Sequence, residues 1–335
     1  MSLRIHFTAD DIARTRIVAE PDPMWELVLS VHQLQYRHVG DQYLVWREHA
    51  LERTNVPACR RHLDVLISMN PGHGDFPDFL TPRVAGGGFP AALETVLTTP
   101  RQRLRAELRQ HMRKHRASRR SAAVQAISDG RADGIRSLGR ATTWYHDEVL
   151  APYWPLVRQT VVDDHVVRAK HLSDNGPDKL LANIPGCTRW VRPVLHLDYP
   201  VERDLHLEGR GLTLIPSYFC SGKPVTLIDD HLPPVLVYPA APWRRDIPAA
   251  LIELLGSTRA HALSTLDRPL STSALAALIG TSPSSASRHA KVLRSAGLIT
   301  STRREKAVIH QLTPLGTMLL NGQESASCRG IRKEA

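Results

Sequence analysis

Apolar residues recur at three- and four-residue spacing through the first half of the chain, the period of a helix. The pattern predicts a short first helix in FTADDIARTRI, with Thr8 as its cap and Asp10 and Asp11 in the first turn. Asp22 followed by Pro23 predicts the start of a second helix, PMWELVLSVHQL. Asn55 is placed to cap VPACRRHLDVLISM, and the Gly- and Pro-rich GHGDFPDFLTPRVAGGGFP predicts a loop. A long polar helical stretch follows, interrupted near Thr99 and Pro100, and YWPLVRQTVVDDHVVRAKHL predicts a further helix. After Gly186 the period changes from about 3.6 to two. RWVRPVLHLDYP, DLHLEGRGLTLIPSYF and PVTLIDD…PPVLVYPA alternate between Gly and Pro punctuation and read as strands, with Gly209 and Gly211 near a turn or bulge.

Helical periodicity returns at Pro248, where ALIELLGSTRAHALSTL lines up Ile252, Leu255, Leu263 and Leu266. Ser271 is a natural cap for TSALAALIG and Gly280 a natural stop; Ser282 and Pro283 then open a third helix that should run to Ala296 and end at Gly297. Two short helices joined by a tight turn containing Gly280 match a helix-turn-helix. LITSTR and AVIHQL follow as a hairpin wing, joined through Arg303, Arg304, Glu305 and Lys306.

On a wheel of 100° per residue the third helix has two faces. Ala286, Ala290, Leu293 and Gly297 fall on one side and Ser284, Arg288, Lys291 and Ser295 on the other. A helix that enters a major groove needs small inner residues, to sit close on its scaffold, and hydrogen-bonding outer ones. Arg288 can read a guanine edge or grip a phosphate. Ser284, Ser285 and Ser287 lie in the first turns, where a helix N-terminus favours phosphate. Ser282, His289, Lys291 and Arg294 complete the expected DNA-facing set on the helix, and Arg303, Arg304 and Lys306 are placed to follow the backbone or the minor groove. The alternatives are a solvated polar face, or a winged helix used for protein contacts.

Charge sharpens this picture. The 335 residues carry 43 basic and 33 acidic side chains, a formal net charge of +10 that points to a polyanionic partner. Only seven of the basic residues are lysine, a bias that a GC-rich genome explains as well as phosphate binding does. Cys59, Cys187, Cys220 and Cys328 are too scattered for a disulfide framework or a paired-thiol metal site. MSLRIHFTADDIART lacks the apolar core of a signal peptide, and no apolar run approaches the ~20 residues of a membrane helix. The expected location is cytoplasmic, on the nucleoid, with no membrane partner.

Other constellations leave alternatives open. His111 and His115 have a zinc-compatible spacing, but no third ligand is evident and Arg109, Arg113, Lys114 and Arg116 surround them. The basic run from 101 to 120 could lie along DNA or form a solvated helix face. Trp144, Tyr145, Tyr153 and Trp154 could line a ligand pocket or pack in the core. No nucleophile elbow or phosphate loop is present. His196 and Asp198 share a strand face, with only Ser217 or Cys220 as conceivable partners, so no catalytic residue and no cofactor are expected.

The stretch from 248 to 320 resembles the winged helix-turn-helix of ArsR-type bacterial transcription regulators. The resemblance rests on LLGSTRAHALSTL, on PLSTSALAALIGTSPSSASRHAKVLRSAGLI and on LTPLGTMLL, with 285–299 its most specific part. DDIARTRIVAEPDPMWELVLSV, DFLTP, GRGLTLIPSYF and VLVYPA resemble the large uncharacterised domain fused ahead of such modules in actinobacterial regulators. The resemblance implies a homodimeric DNA-binding regulator, often a repressor, and leaves the effector unidentified. Many members sense metal through cysteines on the first helix of the motif, or through Asp and His on the last helix. SALAALI and LTPLGTMLL supply none of these, so neither usual soft-metal site is expected.

The expectation is therefore an α+β, mainly helical chain. Residues 1–240 form a regulatory or dimerisation domain, helical to about 186 and β-rich over 187–240. A linker spans 241–247, a winged helix-turn-helix 248–320 and a disordered tail 321–335. The expected function is a regulator, a repressor by type, that binds a palindromic operator as a dimer. Its expected partners are double-stranded DNA, a second copy of the chain and a small-molecule effector. The alternative is an enzyme-like N-terminal domain with an accessory DNA-binding module.

Overall fold

The computed structural model describes residues 1–37, 39–72, 74–83, 87–240, 249–266, 269–304 and 307–321. The chain forms two compact units, Met1–His38 with His49–Trp243, and Val39–Glu48 with Arg244–Ala335. The expected linker at 241–247 and the tail beyond Asn321 lie outside the described residues.

The elements before the second sheet region are β1 (Ser2–His6), α1 (Ala9–Arg14), β2 (Arg16–Ile17), α2 (Pro23–Gln35), α3 (Leu44–Thr54), α4 (Pro57–Met69), α5 (Gly88–Leu97), α6 (Arg101–Lys114), α7 (Arg116–Arg120), α8 (Ala122–Ser128), α9 (Ala132–Tyr145) and α10 (Trp154–Ala182). Then come β3 (Cys187–Val191), β4 (Val194–Asp198), β5 (Arg203–His206), β6 (Thr213–Ser217) and β7 (Val235–Pro239). The second unit carries α11 (Ala249–Leu255), α12 (Ser257–Ser264), β8 (Leu270–Ser271), α13 (Thr272–Leu278), α14 (Pro283–Ser295), β9 (Ile299–Arg304), β10 (Ala307–Leu312) and α15 (Pro314–Asn321).

Helix α2 is buried along nearly its whole length, from Met24 to Leu34. Its start follows the sequence: the Asp22 carboxylate accepts from the Met24 and Trp25 amides, with Pro23 in the first turn. Helix α1 also starts as expected, with Thr8 and Asp11 capping each other. The Asp11 carboxylate reaches further, accepting the Gly211 amide at 2.8 Å. A Cβ at Gly211 would meet the Arg14 backbone, and its φ of +72° also requires glycine. Helix α4 differs from expectation: its cap position is Val56, not Asn55, and no side chain caps it. Pro57 in the first turn reduces the need, because proline has no amide hydrogen to satisfy.

The first unit is less purely helical before residue 186 than its sequence suggests. β1 lies inside a four-stranded sheet of order β3-β4-β1-β5, antiparallel to β4 and parallel to β5. β2 joins the parallel sheet β2-β6-β7. Leu3, Ile5 and Phe7 point into the core with Leu195, Leu197, Leu205 and Leu214 from the later strands. The alternation in SLRIH is visible, but only distant partners make so short a segment a strand. PVTLIDD forms no strand of its own and contributes the single bridge Val225↔Val237.

Candidate nucleic-acid interface

The second unit is built around a small core of Leu263, Leu266, Leu275, Ala290, Leu293 and Leu298. Ser271 caps α13 through a 3.1 Å bond from the Ala274 amide. The helix ends in a Schellman motif, in which Gly280 has φ +65° and the Thr281 amide returns to the Ala276 carbonyl at 2.9 Å. Ser282 opens α14 by accepting from the Ser285 amide, with Pro283 in the first turn. A second Schellman motif closes α14, where Gly297 has φ +73° and the Leu298 amide returns to Leu293 at 3.0 Å. These four local devices set the turn between the two helices and the exit into β9.

On α14, Ala286, Ala290 and Leu293 are 0%, 1% and 1% exposed, and Ser284, Arg288, Lys291 and Ser295 face solvent. Gly297 is exposed, so its place is the helix stop and not the inner face. The Ser282 hydroxyl is committed to capping and to the Ser284 hydroxyl at 2.9 Å. Arg288 rests on the Ser285 hydroxyl at 3.3 Å, which orients its guanidinium along the helix surface. Ser287 and Arg294 are exposed on one flank of this face. His289 is half-buried on the other, and burial together with Arg259 and Arg288 pushes its imidazole below the ordinary range. Ser285 is half-buried on the same flank.

β9 and β10 pair antiparallel from Ile299↔Leu312 to Arg304↔Ala307, and β8 adds to the free edge of β10. Arg303 is exposed opposite Val308, one pair before the last of the ladder, Arg304↔Ala307. Arg304 ends β9, and Lys306 lies outside the described residues. Between 269 and 304 the chain has five basic residues and no acidic one, so α14 and β9 form a cationic surface.

His310 had no role in the sequence reading. Its ring is 4% exposed, with Nδ1 2.8 Å from the Ser301 hydroxyl and Nε2 2.9 Å from the Thr272 hydroxyl. It therefore ties the hairpin to the first turn of α13, and burial, with Arg294 nearby, lowers its pKa. The available signal was one polar ring at an inward position of an alternating strand.

The other sequence candidates are placed as follows. His111 bonds the Ser118 hydroxyl at 3.0 Å, its ring lies 4.5 Å from that of His115, and burial lowers its pKa to about 4. Among the described residues no group of three His, Cys, Asp or Glu side chains is placed to hold a metal. Tyr145 is fully buried and bonds Ser30 at 3.0 Å, and Trp144 stacks on His62, so these two aromatic residues pack against neighbouring helices. His196 and Asp198 engage Arg189 and Lys223 respectively.

With this geometry in view, comparison with known families is direct. Residues 249–317 match the family described as the Crp-like helix-turn-helix domain. The C-terminal module is thus a helix-turn-helix DNA-binding module, of the class carried by transcription regulators. The family matched is Crp-like, and the ArsR type is not the one found. The comparisons with curated proteins and with solved structures return no match. No helix among the described residues is long and apolar enough to cross a membrane.

Proposed function

We propose that this protein is a sequence-specific transcription regulator of the ArsR-like winged-helix type, acting as a repressor. It binds an imperfect palindrome in double-stranded DNA as a homodimer, with one α14 in each of two major grooves. Arg288 reads a base edge, while Lys291, Arg294 and the hairpin cations hold phosphates. The first unit provides the contact between subunits and the response to a small-molecule effector. The carrying observation is α14 itself: a buried face of Ala286, Ala290 and Leu293 opposite an exposed face of Ser284, Arg288, Lys291 and Ser295, inside a matched helix-turn-helix. The resemblance of the 285–299 stretch is what favours the ArsR-like assignment within that class.

A catalytic first unit is disfavoured by where its candidate nucleophiles lie. Ser217 and Cys220 are both buried, 0% and 2% exposed, out of reach of a substrate, and burial drives the Cys220 thiol pKa far upward. Selection of bound duplexes from a random library by the full chain tests the proposal. A two-fold symmetric consensus is expected, and recovery of no preferred sequence overturns it.

A further inference from the structure

A cavity of about 680 Å³ opens within the first unit, a volume suited to a small organic ligand. One wall is α2, which presents Leu29, His32 and Gln33 from one helical face, with Tyr36 just past its end. A second wall is the segment after the carboxyl end of β6, the side on which parallel sheets receive ligands. Buried bonds hold both walls in place. The Glu26 carboxylate accepts from the Ser217 hydroxyl and the Tyr218 and Phe219 amides, and Gln33 donates to the Phe219 carbonyl at 2.9 Å. Asp78 accepts the Ile228 and Asp229 amides at 2.9 and 2.8 Å. The cavity is therefore preformed, and a ligand need not pay to order it.

Its lining has two chemistries. Tyr36 and Tyr199, both partly exposed, offer aromatic surface, with the buried Phe76 beside them. Lys114, Arg203 and Lys223 bring cationic groups from three separate segments, but the Arg203 guanidinium is already paired with Asp230 and donates to the Leu227 and Ile228 carbonyls. The two lysines are about half exposed, and each bonds one carboxylate: Lys114 that of Asp75, Lys223 that of Asp198 at 2.7 Å. An ammonium has three donors, so each lysine keeps capacity for a further acceptor. The acidic lining is already engaged, Asp75 by Lys114 and Asp78 by two backbone amides. The hydrogen-bonding capacity left at the lysines is thus donor capacity beside aromatic walls.

We propose that this cavity is the effector site and takes a planar aromatic molecule bearing one acidic group. The effector role rests on the regulatory reading of the first unit; the ligand class rests on the cavity alone.

Three probes with one ring system separate charge from shape: 2-naphthoate, neutral 2-naphthamide and cationic 2-naphthylmethylammonium. Their binding to the full chain is measured by calorimetry without DNA. Naphthoate should bind about tenfold or more tightly than the amide, as expected for one charge-assisted hydrogen bond. Lys114→Ala with Lys223→Ala should bring naphthoate down to the amide's affinity and leave the amide unchanged, and the two Lys→Arg changes should restore the preference. Ser221→Trp and, from another wall, Val201→Trp should each abolish binding of all three. Tightest binding by the cation, or no binding by naphthoate, overturns the ligand class. Naphthoate binding that survives both tryptophans overturns the location. A final titration of naphthoate into the protein–DNA complex addresses the effector role separately: a shift in DNA affinity supports it, and cavity binding with unchanged DNA affinity overturns it while leaving the ligand class standing.

Discussion

Arg288 and Gly316 illustrate two kinds of consequence that a single side chain carries. Arg288 is exposed at the centre of the outward face of α14, with Ser285 as its one neighbouring hydrogen-bond partner among the described residues. Arg288→Ala should weaken binding to the selected sequence by about 1–3 kcal/mol and relax preference at one position of each half-site. A competition titration over single-base variants of the duplex measures both. Gly316 acts through the fold. A Cβ there would run into the Leu298 carbonyl oxygen, because α15 packs directly on the chain leaving α14, with Thr313 capping α15 and bonding the Gly297 carbonyl at 2.7 Å. The backbone would have to move. Gly316→Ala should destabilise the second unit by about 1–3 kcal/mol, read as faster amide exchange over 269–304 in the full chain.

Individual elements divide the work of binding and of stability. The β9–β10 hairpin carries Arg303 in an exposed position, so phosphate is its natural partner. Arg303→Ala should weaken selected and scrambled duplexes alike, and flatten the log–log salt dependence by up to about 0.9. If it instead loses sequence preference at an unchanged salt slope, the hairpin reads bases. Helix α2 predicts a pH effect in the first unit. Burial pushes the Glu26 carboxyl up to about 7, against the stabilising pull of its three donors, and raises Asp22 and Asp78 to about 6. A carboxyl whose folded pKa exceeds its unfolded value stabilises fully below the unfolded pKa and loses that contribution as pH rises through the folded one. Thermal stability of the first unit should therefore fall between about pH 4.5 and pH 7 on account of these groups. Glu26→Gln should make that fall shallower, whatever its effect on the absolute midpoint. Melting curves across pH 5–8, followed by exchange within 23–35, check this.

At the scale of the whole molecule, one α14 is a small reading surface. Helix-turn-helix proteins gain affinity by presenting two such helices about 34–36 Å apart, one turn of duplex. The chain should be a dimer at micromolar concentration and bind its palindrome as two subunits per site. Light scattering of the free protein and of the complex measures this, and a monomer in both refutes it. The module is distinctly basic, with eight basic and three acidic residues over 249–317, which favours rapid, salt-sensitive encounter with DNA.

The sequence by itself determined whatever depends on neighbours along the chain. Asp22, Ser271, Ser282, Gly280 and Gly297 do in the fold what their positions predict, because a cap or a left-handed turn is satisfied within about five residues. The two faces of α14 were legible for the same reason: Ala286, Ala290 and Leu293 are fixed by helix period alone. Tertiary structure decided what depends on pairing at long range. The strand character of Ser2–His6 comes from partners at 194–198 and 203–206, and the meeting of α2, Lys114 and the segment after β6 around one cavity comes from three distant stretches. So do the burial of His310 between Ser301 and Thr272 and the exclusion of any side chain at Gly316. Periodicity and capping record only local energetics, whereas cavities, buried charges and backbone contacts arise where segments far apart in sequence exclude water together.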